Sequence, residues 1–299
     1  MQIAGDFKLS VLNKIRNTQN IQFLLIKKLN MKQLYLIDEF KKKSIEDCTI
    51  SAVLMYGSFI KGEGDKFSDI EFYIFLRDDC HIDKYKWISS VNPIDLIFVN
   101  EFGTDVVIFD NLIRGEFHFL PLKEISIIKS WQGHTSFEFK EKMNLVDKDG
   151  LLTDVLNDIE PPYEPIRNTP AQIEWLADSL INNLLFASNL FQRGEYAHLH
   201  SIFQYIQKYA LWLIRIYEQS EKHWESPTKK LEVDISSYWY NKYQTIVPII
   251  TRKSLNKALL NAFVLSKDIF KKTNVSSSKL ELIYRIENTF EINHRNEET

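Results

Sequence analysis

Eight of the nine glycines stand at or before Gly150, and only Gly194 follows. Glycine supplies the positive-φ positions that tight turns need, so this distribution splits the chain into a turn-rich part and a turn-poor part. Between them, residues 158–170 read Asp-Ile-Glu-Pro-Pro-Tyr-Glu-Pro-Ile-Arg-Asn-Thr-Pro and carry four of the eight prolines. Proline lacks an amide donor and restricts its predecessor, which marks this stretch as a linker. A chain of 299 residues with 44% hydrophobic content has enough apolar material for two modest cores.

The hydrophobic period changes across the linker. Before it, short apolar runs predict strands at Ser51–Tyr56, Ile70–Leu76, Asp95–Val99, Val106–Phe109 and Phe117–Leu120. Ahead of these strands, Leu9, Leu12 and Ile15, then Leu24 and Leu25, then Leu34, Ile37 and Phe40 recur at helical spacing and predict two amphipathic helices. After the linker, helical spacing dominates. Ile173, Leu176, Leu180, Leu184, Ala187 and Phe191 share one face, and Ile202, Ile206, Ala210, Leu213 and Tyr217 another. Leu259, Ala262, Phe263, Ser266 and Phe270 continue the pattern, and Leu282, Ile283, Ile286 and Phe290 close it. Four or five such helices predict a bundle with these stripes as its core. The fold class is therefore α+β.

Charge excludes one class of partner. Net charge is −3, and neither residues 1–150 (20 Lys+Arg, 22 Asp+Glu) nor residues 151–299 (17 and 18) are basic. A nucleic-acid surface lacks its electrostatic footprint here. The two cysteines, Cys48 and Cys80, have neither zinc-ligand spacing nor the density of a disulfide framework. No signal peptide and no run of 18 apolar residues is present, so a cytoplasmic, membrane-free protein is expected.

One stretch asks for chemistry. Residues 54–75 read Leu-Met-Tyr-Gly-Ser-Phe-Ile-Lys-Gly-Glu-Gly-Asp-Lys-Phe-Ser-Asp-Ile-Glu-Phe-Tyr-Ile-Phe. An apolar run stops at Gly57-Ser58, and a second begins at Asp69-Ile70-Glu71. Side chains i and i+2 of a strand share a face, so Asp69 and Glu71 project together while Ile70 and Phe72 turn inward. Two carboxylates held this close need neutralising, and magnesium is suited to one or two carboxylates plus phosphate oxygens. Gly57 lets backbone approach a phosphate, and the Ser58 hydroxyl donates to it. Lys61 and Lys66 flank the loop and are candidates to meet a triphosphate.

The order strand, Gly-Ser, loop, apolar–Asp–apolar–Glu–apolar resembles the signature of the nucleotidyltransferase (polymerase-beta-like) superfamily. Within it, Met55-Tyr-Gly-Ser-Phe, Lys61-Gly-Glu-Gly-Asp, Ser68 through Leu76 and Gly103 through Leu120 resemble the larger type of lincosamide nucleotidyltransferase. Those enzymes adenylylate lincomycin and clindamycin. The resemblance runs from about Met31 to the end and is strongest over 54–120. It implies a nucleotidyltransferase domain with a mixed sheet and flanking helices over 31–157, a linker at 158–170, and a helical substrate or dimer domain over 171–299. Residues 1–30 are then a helical extension. Also implied are two magnesium ions on Asp69 and Glu71, ATP as co-substrate, an antibiotic acceptor, and a homodimer with helical contacts.

A third acid must take the acceptor's proton. The sequence offers Asp95, Asp105, Asp110 and Glu116. In Arg114-Gly-Glu-Phe-His-Phe, the polar residues Arg114, Glu116 and His118 alternate with Gly115, Phe117 and Phe119, placing three polar groups on one strand face. The family's base is a glutamate in this same segment, so the resemblance selects Glu116. Arg114 and His118 are then expected either to reach substrate or to pair with nearby carboxylates. His198 and His200, at i and i+2 of a helix, point apart and do not suggest a metal site. Arg193 and His198 match the Arg-x4-His spacing of helical ribonucleases, which arises easily by chance. Two rival functions remain. An aminoglycoside acceptor would favour an acidic pocket, for which Glu160, Glu164, Glu174 and Asp178 are candidates. An antitoxin-like nucleotide-binding protein would need no intact acid set.

Overall fold

The computed structural model describes residues 31–297, with side chains to Glu291. The first expected amphipathic helix, and with it the 1–30 extension, lies outside the described residues. The chain divides between Pro165 and Ile166 into two compact units.

The first unit opens with helix α1 (Lys32–Glu46) and strands β1 (Ile50–Met55) and β2 (Ile70–Leu76). Helix α2 (Lys84–Ser89), β3 (Ile94–Val99), β4 (Asp105–Phe109) and β5 (Arg114–Pro121) follow. After two single-turn helices, α3 (Ile127–Ser130) and α4 (Lys140–Met143), come β6 (Asn144–Asp147) and α5 (Leu151–Asn157). Five of the six strands fall where the apolar runs put them. The sixth, β6, was not expected: Asn-Leu-Val-Asp is too short and too polar to stand out, and it becomes a strand by pairing with β1. The sheet order is β3-β4-β5-β2-β1-β6. Every neighbouring pair is antiparallel except β2 and β5, which run parallel, so the sheet is mixed.

Period two sorts this sheet into two faces. Ile70 and Phe72 of β2 and Phe117 of β5 are fully buried. Phe40 of α1 packs on that face, 5.7 Å from Phe72 and 5.1 Å from Phe117, centroid to centroid. Gly115 lies in the same layer because nothing larger fits. A Cβ there would stand 2.7 Å from Phe117 and 3.3 Å from Phe109. The opposite face of β2 and β5 carries Glu71, Tyr73, Glu116 and His118.

The second unit is all helical: α6 (Pro170–Gln192), α7 (Tyr196–Tyr217), α8 (Leu231–Asp234), α9 (Ser237–Gln244), α10 (Arg252–Lys272) and α11 (Ser277–Glu297). Thr169 caps α6 by accepting from the Gln172 amide at 3.2 Å, with Pro170 in the first turn where a missing amide costs nothing. Thr251 caps α10 in the same way. The expected stripes form one core, including Leu180, Leu184, Ile206, Leu259, Phe263 and Ile283. Tyr217 departs from its stripe: it ends α7 and is 40% exposed.

The bundle also holds a buried cation that apolar periodicity did not suggest. Arg215 is fully buried, and its guanidinium donates to the carbonyls of Ser220, Pro227 and Lys229 and to Asp234. Asp234 is shared with His223 at 2.5 Å. Each of the three guanidinium nitrogens meets an acceptor, which is what lets a charge sit in the core.

Candidate active site

β2 and β5 pair in parallel register, so Glu71 stands beside Glu116 and Tyr73 beside His118. Asp69 immediately precedes β2 and Arg114 opens β5. Arg114 Nη1 donates to Asp69 Oδ2, and Nη2 donates to Glu116 Oε1, both at 2.5 Å. Burial works against the Arg114 charge, but hydrogen bonds to Glu116 and Asp69 outweigh it and hold its pKa above the ordinary value. The three expected acids thus converge, with one guanidinium bridging two of them.

The third acid is held differently. Gly57 has φ +80°, and a Cβ at that position would lie 1.4 Å from Glu71 Oε2. The bend after β1 therefore receives the Glu71 carboxylate, and the Ser58 backbone N–H donates to it. Only glycine provides both the left-handed φ and the space. Burial pushes the Glu71 carboxyl up to about 7, aided by the charges of Glu116 and Asp69 and opposed by Ser58 and Arg114. The cluster is short of positive charge.

Glu116 has a second set of partners. The Tyr56 hydroxyl donates to Glu116 Oε2 at 3.2 Å and lies 3.1 Å from His118 Nε2. A tyrosine hydroxyl has one proton, so His118 Nε2 is the donor in the second contact. Burial lowers the His118 pKa despite the charges of Glu116 and Asp105, which keeps the imidazole neutral. Burial, then the charges of Glu116 and Glu71, raise the Tyr56 pKa and keep its hydroxyl protonated. His118 stacks on Tyr73 at 4.1 Å and 6°, and Trp131 lies 4.7 Å from Tyr73. An aromatic wall thus flanks the Glu116 carboxylate.

The other candidates lie elsewhere. Asp105 is buried and paired with Lys84 at 2.6 Å. Asp110 accepts from Asn92 at 2.7 Å, and Asp95 is exposed on β3. Lys66 is exposed, with its ammonium 4.7 Å above the Phe67 ring. Lys61 sits in the turn after β1, its amide donating to the Gly57 carbonyl. Glu174 and Asp178 both pair with Lys279, at 2.7 and 2.6 Å, and share that one cation. His198 is exposed and lies 3.5 Å from Glu195.

The residues missed in the sequence are Tyr56, Tyr73 and Trp131. Tyr73 carried a signal, since it lies two residues beyond Glu71 on the polar face of β2. Tyr56 directly precedes Gly57 and read only as the end of an apolar run.

Among the described residues, no three His, Cys, Asp or Glu side chains are arranged to hold a metal ion by themselves. The donors that converge are carboxylate oxygens, and one of them is raised to about 7 by burial and then by its like-charged neighbours. That chemistry fits a hard divalent cation that draws its remaining ligands from water and phosphate.

Residues 169–290, less than half of the chain, match the family model described as lincosamide nucleotidyltransferase-like, C-terminal domain. No curated protein sequence matches the chain. Among solved structures, an aminoglycoside 6-adenyltransferase from Bacillus subtilis aligns at 13% identity and TM-score 0.39, covering 88% of this chain and 97% of its own. A nucleotidyltransferase-like protein from Exiguobacterium sibiricum aligns at 12% identity and TM-score 0.34, covering 76% and 72%. At these scores the two structural likenesses carry no weight for fold or chemistry.

Proposed function

We propose that this chain is a nucleotidyltransferase that moves AMP from ATP to a hydroxyl of a lincosamide antibiotic. The observation that carries the reading is the convergence of Asp69, Glu71 and Glu116 beside the Gly57-Ser58 bend. The family match of the helical unit supports the reaction class and the acceptor.

Asp69 and Glu71 would hold magnesium, two ions in the fullest form of this reading. Bound there, the metal supplies charge neutralisation at the phosphates. The chain's own groups do the rest. With Glu71 holding the metal, the bend at Gly57-Ser58 would offer its backbone N–H to a phosphate oxygen. Lys61 and Lys66 follow the bend and meet the outer phosphates. Glu116 accepts the proton of the acceptor hydroxyl through Oε2, steered by the Tyr56 hydroxyl. The acceptor oxygen bonds to the alpha-phosphorus, the bond to the bridging oxygen breaks, and pyrophosphate leaves with that electron pair. Arg114, freed from Asp69, keeps its hold on Glu116 and orients it. Positioning and charge supply most of the acceleration, and the base about 10²–10⁴-fold. A homodimer formed through the helical unit and a cytoplasmic setting belong to the same reading, from the sequence resemblance.

The test is incubation of the protein with labelled ATP, magnesium, and a panel of lincosamides and aminoglycosides, read by mass spectrometry. Lincomycin or clindamycin should gain one AMP. An adduct on an aminoglycoside alone would replace the acceptor. A nucleotide on the protein with none on any drug would replace the reaction.

A further inference from the structure

The helical unit contains an aromatic recess of about 430 Å³, lined by Gln172 and Trp175 of α6, Trp212 of α7, and Trp224 in the turn beyond α7. Three of the chain's six tryptophans meet there. Trp224 is buried and stacks on Trp212 at 5.0 Å and 11°, with the Trp212 indole N–H donating to the Trp224 carbonyl at 2.9 Å. That pair forms a fixed wall. Tyr209 stands edge-on to both Trp212 and Trp175, at 5.7 and 5.9 Å, and braces the two sides. Trp175 differs from its companions in being 52% exposed. An indole that merely filled core would not leave half its surface in water at the lip of a cavity.

The charges around the rings narrow what fits. The Lys208 ammonium lies 4.6 Å over Trp212, and the Arg167 guanidinium lies 5.0 Å over Trp224. Aromatic cages that capture ammonium ligands keep their faces free for the ligand's cation. Here both fixed indoles already carry one, and an incoming amine would meet two like charges. Gln172 adds an amide that both donates and accepts, which suits a hydroxyl. The volume lies within the range of small-molecule sites.

We propose that this recess is a binding site for a neutral pyranoside ring, with the sugar's C–H face against the exposed Trp175 indole and a hydroxyl on Gln172. The assignment is independent of the transfer chemistry of the first unit and involves none of its residues.

The test uses the full-length protein labelled with 5-fluorotryptophan and followed by fluorine NMR. Methyl α-D-glucopyranoside, methyl α-D-galactopyranoside and the polyamine tobramycin are titrated separately, without nucleotide. The resonances of Trp175 and Trp212 should move saturably with a glycoside in the millimolar range, while those of Trp87, Trp131 and Trp239 stay fixed. Trp175→Ala should weaken binding at least tenfold, and the unmoved Trp87, Trp131 and Trp239 resonances report that the variant is folded. Shifts that do not saturate, equal response to tobramycin, or unchanged affinity in Trp175→Ala would each overturn the proposal. Response to benzyl alcohol without response to either glycoside would overturn it as well.

Discussion

Glu71 and Glu116 occupy paired positions on two parallel strands, and both carboxylates belong to one cluster. Two like charges side by side on a sheet face are unfavourable unless a cation relieves them. Arg114 gives part of that relief, by bonding Asp69 and Glu116. Under the proposed function, this guanidinium stands in for charge that a metal–nucleotide complex would bring.

Arg114→Ala tests the exchange. The pairs are partly exposed, so each is worth little alone, and the network loss is set at about 1 kcal/mol. Thermal denaturation without metal should fall by roughly 2–4 °C. Added magnesium should raise the midpoint of the variant more than that of the parent. An equal rise in both would mean that Arg114 and the metal do not compete for the same carboxylates.

Glu71→Gln tests the crowding through pH. Burial and its neighbours raise the Glu71 pKa from its ordinary 4.5 to about 7. The folded protein therefore holds a proton that the unfolded chain has already lost between those values. Stability contributed by this group is present below about pH 4.5 and is lost as pH rises through 7. Glutamine cannot ionise, so the metal-free variant should gain on the parent across that window, by at most about 3 kcal/mol. Urea denaturation at pH 5 and pH 8 measures the gap, which should be under about 1 kcal/mol at the lower pH and near its full size at the higher. Transfer activity should be lost at both.

Gly57→Ala places a methyl group where a Glu71 oxygen lies, at a φ that costs an L-residue about 1–2 kcal/mol. The carboxylate must leave the bend. Denaturation should come several degrees earlier, and transfer should fall tenfold or more, since a small misplacement of a reacting group is expensive. Gly103→Ala is the control: its φ is also positive, but a Cβ there meets nothing within 4 Å. Equal loss of activity in both variants would mean that backbone strain, and not the Glu71 position, is responsible.

Tyr56→Phe removes the hydroxyl between Glu116 and His118 and little else. Turnover should drop about 3–10-fold while KM for ATP holds, with the pH–rate profile displaced because Glu116 has lost a donor. A fall in ATP affinity instead would assign Tyr56 to nucleotide binding.

Much of this site was legible because its parts are local. Asp69 and Glu71 are two residues apart and Arg114, Glu116 and His118 alternate, so strand periodicity alone assigns their faces. What no local pattern encodes is that β5 lies beside β2, parallel and in register, more than forty residues downstream. The family resemblance, not the spacing, selected Glu116 over Asp95, Asp105 and Asp110. Tyr56 escaped notice because an aromatic residue in an apolar run looks like core until a partner for its polar atom is seen, and Trp131 because only the fold brings its ring to Tyr73. β6 escaped because its pairing makes it a strand. Arg215 shows the converse in the helical unit, where a charge sits in the core on the strength of loop carbonyls that a helical wheel does not contain.

The most direct measurement compares Glu116→Gln with the parent, following AMP transfer to lincomycin and magnesium–ATP binding in parallel. Glutamine keeps the shape and loses the capacity to take a proton. Turnover should fall by about 10²–10⁴ while nucleotide affinity stays within about twofold. A variant that transfers AMP at the parental rate would remove Glu116 from the chemistry.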